Sequence, residues 1–171
     1  MGMKYTEQDA EKWLEKLQAE QQTSSRHDVK TAMQIVARLA WSGITPDGDW
    51  ASVVEAQIQT LVLALFVPPA ERGTETIDVS PDALLVRIAT STVGGRTIVA
   101  AATRRALHLG QAVGVVAFAT LAQLDPSRIR SLVRTGALQS TGPRKSALPG
   151  RQPKGAEIRI TAASALRWLT N

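Results

Sequence analysis

Cysteine is absent from the 171-residue chain. Disulfides, thiolate zinc sites and cysteine nucleophiles are therefore excluded. His27 and His108 are the only histidines, too few for a histidine-based metal cluster, and neither a metal nor a cofactor is expected. Aromatic residues make up only 4% of the chain, so Ala, Leu, Val and Ile must build the core. The longest apolar run, LVLALFV at Leu61–Val67, is far shorter than the ~20 residues that cross a bilayer. The N-terminal stretch MGMKYTEQDAEKW is charged and has no apolar signal region. These absences lead to the expectation of a soluble, cytoplasmic protein with no membrane partner. Paired carboxylates, a nucleophile triad and metal-ligand spacing are missing too. No catalytic reading is supported, and the chain is not expected to be an enzyme.

What is present begins with an ordinary globular composition, 44% hydrophobic and 20% charged, enough for one medium domain or two small ones. The charge is uneven. From Asp125 to Asn171 there are nine Lys/Arg against Asp125 and Glu157, a net of +7, while the first 124 residues carry a net of −2. Basic charge gathered in one segment is the electrostatic footprint of a polyphosphate binder.

Hydrophobic spacing predicts helices through the first part of the chain. Thr6 is a candidate cap for a helix with Ala10, Trp13, Leu14 and Leu17 on one face. Asp28 is a cap for a second, striped by Val29, Ala32, Met33, Val36, Leu39 and Ala40. The turn-rich SGITPDGD (Ser42–Asp49) precedes a third helix, capped by Asp49 and stopped by Pro68-Pro69. Its near-continuous apolar end suggests a central, buried helix. Trp13, Trp41 and Trp50 read as core or interface anchors. Ser80-Pro81-Asp82 is a further helix start. The stretch from Leu84 to Ala106 admits two helices broken at Gly94-Gly95, or a hairpin turning there; the helical propensity of AAATRRALHL (Ala100–Leu109) favours helices. Gly94-Gly95-Arg96-Thr97 lacks the spacing and lysine of a phosphate-binding loop and reads as a turn. A composition change near Gly110 divides residues 1–110, a helical domain for dimerisation or partner binding, from 111–171.

The second part carries the functional signal. Val113–Ala122 reads as one helix and Gln123-Leu124-Asp125 as a tight turn. Asp125 then caps a second helix with Pro126 at its first position, stopped by Gly136. Ile129, Leu132 and Val133 form the buried face of that helix, leaving Ser127, Arg130, Ser131 and Arg134 opposite and Arg128 and Thr135 on the flanks. Arginine forks onto guanine or phosphate, and short serines let a helix sit deep in a groove. The following stretch is rich in Pro and Gly and holds Arg144, Lys145, Arg151 and Lys154. It reads as a basic loop between short strands near Ala137–Ser140 and Glu157–Ile160. Thr161 caps a last helix, whose Trp168 and Leu169 are expected to pack onto the Asp125-capped helix. The candidate DNA-contacting set is therefore Ser127, Arg128, Arg130, Ser131, Arg134, Arg144, Lys145, Arg151 and Lys154.

The segments ATLAQLDPSRIRSLVRTGAL (Ala119–Leu138) and IRITAASALRWLTN (Ile158–Asn171) resemble the winged helix-turn-helix of excisionases and mercury-resistance-type regulators. Leu124, Ser127, Ile129, Leu132, Val133, Arg134, Gly136, Leu138, Arg159, Trp168 and Leu169 occupy matching positions over about a third of the chain. Three features depart from that pattern. Leu124-Asp125 replaces the usual glycine before the recognition helix, the wing is longer and richer in proline, and the acidic residue that often starts the last helix is absent. The resemblance implies a small winged helix-turn-helix with a short β wing; nothing in the first 110 residues resembles a known family, and their spacing places a helical N-terminal domain before it, for a mainly α fold. It also implies double-stranded DNA as partner; because helix-turn-helix proteins commonly pair to read two half-sites, and the N-terminal helices carry apolar faces, a homodimer joined through those helices is expected. The expected role is a transcriptional regulator or a phage or plasmid accessory factor in excision, partition or packaging. The alternative is a helical protein-interaction adaptor whose basic tail binds no specific DNA.

Overall fold

The computed structural model describes residues 7–20, 27–73, 76–141 and 158–171. Among them the chain forms eight α-helices, one 3-10 turn (Pro69–Glu71) and three two-residue strands, so the protein is mainly helical with a small sheet. No described helix is long and apolar enough to cross a membrane. Helix α1 (Glu7–Glu20) buries Ala10, Trp13 and Leu17, the stripe its spacing dictates. Thr6, its expected cap, lies outside the described residues. Helix α2 (His27–Ser42) buries Val29, Ala32, Met33, Val36, Ala37, Leu39, Ala40 and Trp41. It starts one residue before the expected cap, so Asp28 sits inside the first turn, where its charge suits the positive helix end. Trp13 and Trp41 stack with centroids 4.3 Å apart, and the Trp41 indole N–H donates to Thr97 Oγ1 at 3.4 Å. Both tryptophans are core residues.

Helix α3 (Trp50–Phe66) has Asp49 at its cap position, but the carboxylate makes no capping bond. A capping residue normally adopts the β region; Asp49 has ψ 74°, which turns its side chain off the first turn. The helix ends where Val67 becomes extended, the conformation a following proline favours. Helix α4 (Pro81–Arg87) starts with proline after Ser80, as its sequence predicts. The Ser80 side chain makes no capping bond; instead the Ser80 backbone N–H donates to Asp78 Oδ1 at 2.9 Å. Hydrogen bonding from Ser80 holds the Asp78 carboxyl below its usual value.

The ambiguous stretch resolves as helix, but the break falls earlier than the two glycines. Residues 88–92 connect α4 to α5 (Val93–His108). Thr92 caps α5, its Oγ1 accepting the Gly95 N–H at 3.0 Å. Gly94 and Gly95 thus lie inside the first turn. Gly95 serves close approach: a Cβ there would collide with the Ala89 carbonyl oxygen and come within 2.9 Å of Ile88 Cγ2. Helix α5 is also the central helix, a place the sequence assigned to α3. Every residue from Thr97 to Arg104 is buried, and α1, α2, α3 and α4 pack around it. Its run of Gly and Ala lets neighbours approach from several sides, because helix separation follows the size of contacting side chains. Helix α3 buries only Val54, Ile58, Leu61 and Val62 and leaves Leu63, Leu65 and Phe66 half-buried.

Gly110, at φ +80°, ends α5, with the Gln111 N–H returning to the Ala106 carbonyl at 2.9 Å. Then come β1 (Val113–Gly114), α6 (Val115–Ala122), α7 (Pro126–Arg134), β2 (Ser140–Thr141), β3 (Arg159–Ile160) and α8 (Ala162–Thr170). Val113-Gly114 is therefore strand and not the first turn of α6. The sheet order is β1-β3-β2, antiparallel throughout. Ile160 pairs with Val113 on one side and Ser140 on the other; Arg159 pairs with Gly114 and Thr141. The expected two-strand pairing is present but shorter, with Ala137 and Leu138 in the turn after α7 and β1 as an unforeseen third strand. One continuous core runs from Ala10 to Leu169. At the Gly110 turn, where the sequence suggested a division, α5 packs on α6 and α8 across it.

Candidate nucleic-acid interface

Local signals place α7. The Asp125 Oδ1 accepts the Ser127 N–H at 2.8 Å, Pro126 takes the first position, and Gly136 follows the helix at φ +82°. Hydrogen bonds from Ser127, with the nearby Arg130 charge adding to them, hold the Asp125 carboxyl below its ordinary value. The turn from α6 is made by Gln123, the only non-glycine with positive φ among the described residues (φ 56°, ψ 41°). Leu124 N–H then closes onto the Ala119 carbonyl at 3.0 Å. The glycine missing from this turn is therefore replaced in conformation by Gln123, at a cost of roughly 1–2 kcal/mol against a relaxed backbone.

Helix α7 buries Ile129 completely, whereas Leu132 and Val133 are half-buried, because α7 packs chiefly on α6 and not within a surrounding core. Ser127, Arg128, Arg130, Arg134 and Thr135 are exposed, and Ser131 is half-buried on the margin. No described carboxylate forms a salt bridge with Arg128, Arg130 or Arg134. The three guanidiniums stand on one short helix with their donors turned to solvent. Arg144, Lys145, Arg151 and Lys154 lie outside the described residues. The strand ends that bracket them in sequence, Thr141 and Arg159, are register partners.

Arg159 of β3 is held by protein acceptors on two other segments. Its Nη1 donates to Asp82 Oδ2 of α4 at 2.8 Å, and its Nη2 to the Ala112 carbonyl just before β1 at 3.2 Å. No sequence signal announced this contact, since Asp82 is 77 residues away. Behind the sheet, Thr161 N–H donates to the Gln139 carbonyl at 3.1 Å and Gln139 N–H to Ser164 Oγ at 2.9 Å, fastening α8 beside β2. Thr161 occupies the cap position of α8, but its side chain makes no capping bond. Trp168 packs edge-to-face on Phe118 of α6, centroids 5.7 Å apart, and α8 leans on α5. Trp168, expected on α7, thus sets its ring against α6.

His108 meets Trp50 edge-on at 5.9 Å. Partial desolvation there, and the Arg104 charge, lower its pKa. No protein-family model, curated protein or solved structure matches the chain.

Proposed function

We propose that the chain binds double-stranded DNA, with α7 entering a groove and the basic segment 142–157 contacting phosphates. The observation that carries this reading is the α7 surface: Arg128, Arg130 and Arg134 exposed together, without a salt-bridge partner among the described residues. Two further features support it. Two short helices, α6 and α7, joined by a tight turn are consistent with a helix-turn-helix that presents its second helix to a groove, and the β2–β3 pair follows it. The segment from Asp125 onward also carries the net +7, which supplies phosphate affinity without base preference. On this reading Arg130 and Arg134 read bases or phosphates, Ser127 and Ser131 allow close approach, and Arg144, Lys145, Arg151 and Lys154 neutralise backbone charge.

One such reading head is small, and helix-turn-helix proteins pair to read two half-sites. A homodimer formed through the N-terminal helices supplies that pairing; the half-buried Leu63, Leu65 and Phe66 of α3 are its natural seam. The role is a transcriptional regulator or a phage or plasmid accessory factor, and not an enzyme. The same α3 face favours the second reading, an adaptor that docks a partner protein. Titration of full-length protein against random genomic duplexes at two salt concentrations separates them. Selected fragments that stay bound at the higher salt support DNA reading; binding that vanishes uniformly with salt favours the adaptor.

A further inference from the structure

The short sheet beside α7 is a poor anchor by itself. Its strands are two residues each, so few backbone hydrogen bonds fix its orientation. The Arg159 side chain compensates. Its planar fork reaches two separate segments at once, the Asp82 carboxylate on α4 and the Ala112 carbonyl that leads into β1 and α6. Asp82 sits in the first turn of α4, where helix polarity already favours a negative charge. Arg159 is itself the register partner of Gly114 and Thr141. One guanidinium therefore joins α4, the entry to α6 and the central strand.

We propose that Arg159 is a positioning residue for the DNA-binding unit, holding the sheet and the α6–α7 pair against α4, and not itself a phosphate contact. This inference rests on the DNA-binding reading for its functional consequence, though not for its structural one. Its guanidinium is occupied by protein acceptors, unlike those on α7. A change that shifts α4 would then change how α7 is presented, which couples the helical half of the molecule to DNA affinity.

The test uses full-length protein, the variants Asp82→Asn and Arg159→Lys, and a duplex selected by the unsubstituted chain. Both variants should weaken binding about threefold to fivefold, the scale of a partly exposed ion pair, and leave the salt slope unchanged. Amide exchange in residues 113–114 and 159–160 should rise by a similar factor. Asp82→Asn is the sharper variant, because it removes a negative charge. If charge alone governed affinity, it would tighten binding, and tightening with unchanged exchange overturns the proposal. Arg159→Gln adds a second arm: a salt slope reduced by about one would make Arg159 a phosphate contact and overturn it equally. If the unsubstituted protein binds no duplex, the DNA reading fails by itself. The exchange measurement then decides the positioning role, with unchanged exchange in both variants counting against it.

Discussion

Arginines in the two halves of this molecule are used in opposite ways. Before residue 125 most of the described arginines are tied down, the exposed Arg87 excepted. Arg38 pairs with Glu7 at 2.9 Å. Arg104 donates to the Ala40 carbonyl at 3.2 Å within the core. Arg105 reaches the Ala51 carbonyl and Glu55 at 2.9 and 3.2 Å, and the Arg96 guanidinium lies over the Trp13 ring. On α7, Arg128, Arg130 and Arg134 form no salt bridge with a described carboxylate, although the Arg130 charge acts on nearby Asp125. Net charge alone does not separate these cases; occupied donors do. Arg159, in the basic half yet bound to Asp82 and Ala112, behaves as an arginine of the first kind.

The substitution that would break the comparison most severely lies on the structural side. Gly95→Ala should cost about 3 kcal/mol, because the new methyl meets backbone and not a flexible side chain. A thermal midpoint close to that of the unsubstituted chain would contradict the packing described at the α4–α5 connection. Next come paired arginine replacements. Arg130→Ala should weaken binding to a selected duplex by about 1–3 kcal/mol and leave stability unchanged. Arg105→Ala should do the reverse, lowering stability by about 1–2 kcal/mol through lost charge-assisted hydrogen bonds, with duplex affinity intact. Denaturant unfolding and anisotropy on both proteins check the pair, and parallel behaviour of the two would erase the distinction. Gln123→Gly should stabilise the turn by up to about 1 kcal/mol, since glycine adopts the left-handed conformation without a Cβ penalty.

The smallest effect concerns pH. The Asp125 carboxyl is held below its ordinary 3.8 by Ser127 and Arg130. A depressed folded value means the capping contribution is fully present above 3.8 and is lost as pH falls through the lowered value. Asp125→Asn should flatten that acid limb, measured as unfolding free energy against pH; an unchanged limb would assign it to other carboxylates such as Asp78, which is lowered by its own hydrogen bonds from Ser80.

Legibility followed the range of the interaction. The α7 cap, its proline and its glycine stop act within a few residues, and the sequence predicted all three at their observed places. The stripes of α1 and α2 were equally local. The role of α5 was not, because centrality depends on which helices converge on a surface of small side chains, and no single segment encodes that. The same limit explains α3: its apolar end suggested a central, buried helix, whereas the fold leaves Leu63, Leu65 and Phe66 half-buried. Gly94-Gly95 was read as a break because glycine marks turns and close approaches alike, and only the position of Ala89 distinguishes them. Strand β1 is two residues long and depends on a partner 46 positions or so further on, so periodicity had nothing to act on. Asp82 was missed for the same reason.

The sheet order also sets a sequence of events during synthesis. Strands β1 and β2 each pair with β3 and not with one another, and β3 is the last of the three to be made. Nascent chain that has passed residue 141 holds α6 and α7 without a sheet to brace them. The N-terminal helices have by then been made in full, and segments made first generally fold first. Assembly of the basic half therefore waits for Arg159 and Ile160 to leave the ribosome, and a message truncated before them would yield helices with no strand to close the ladder.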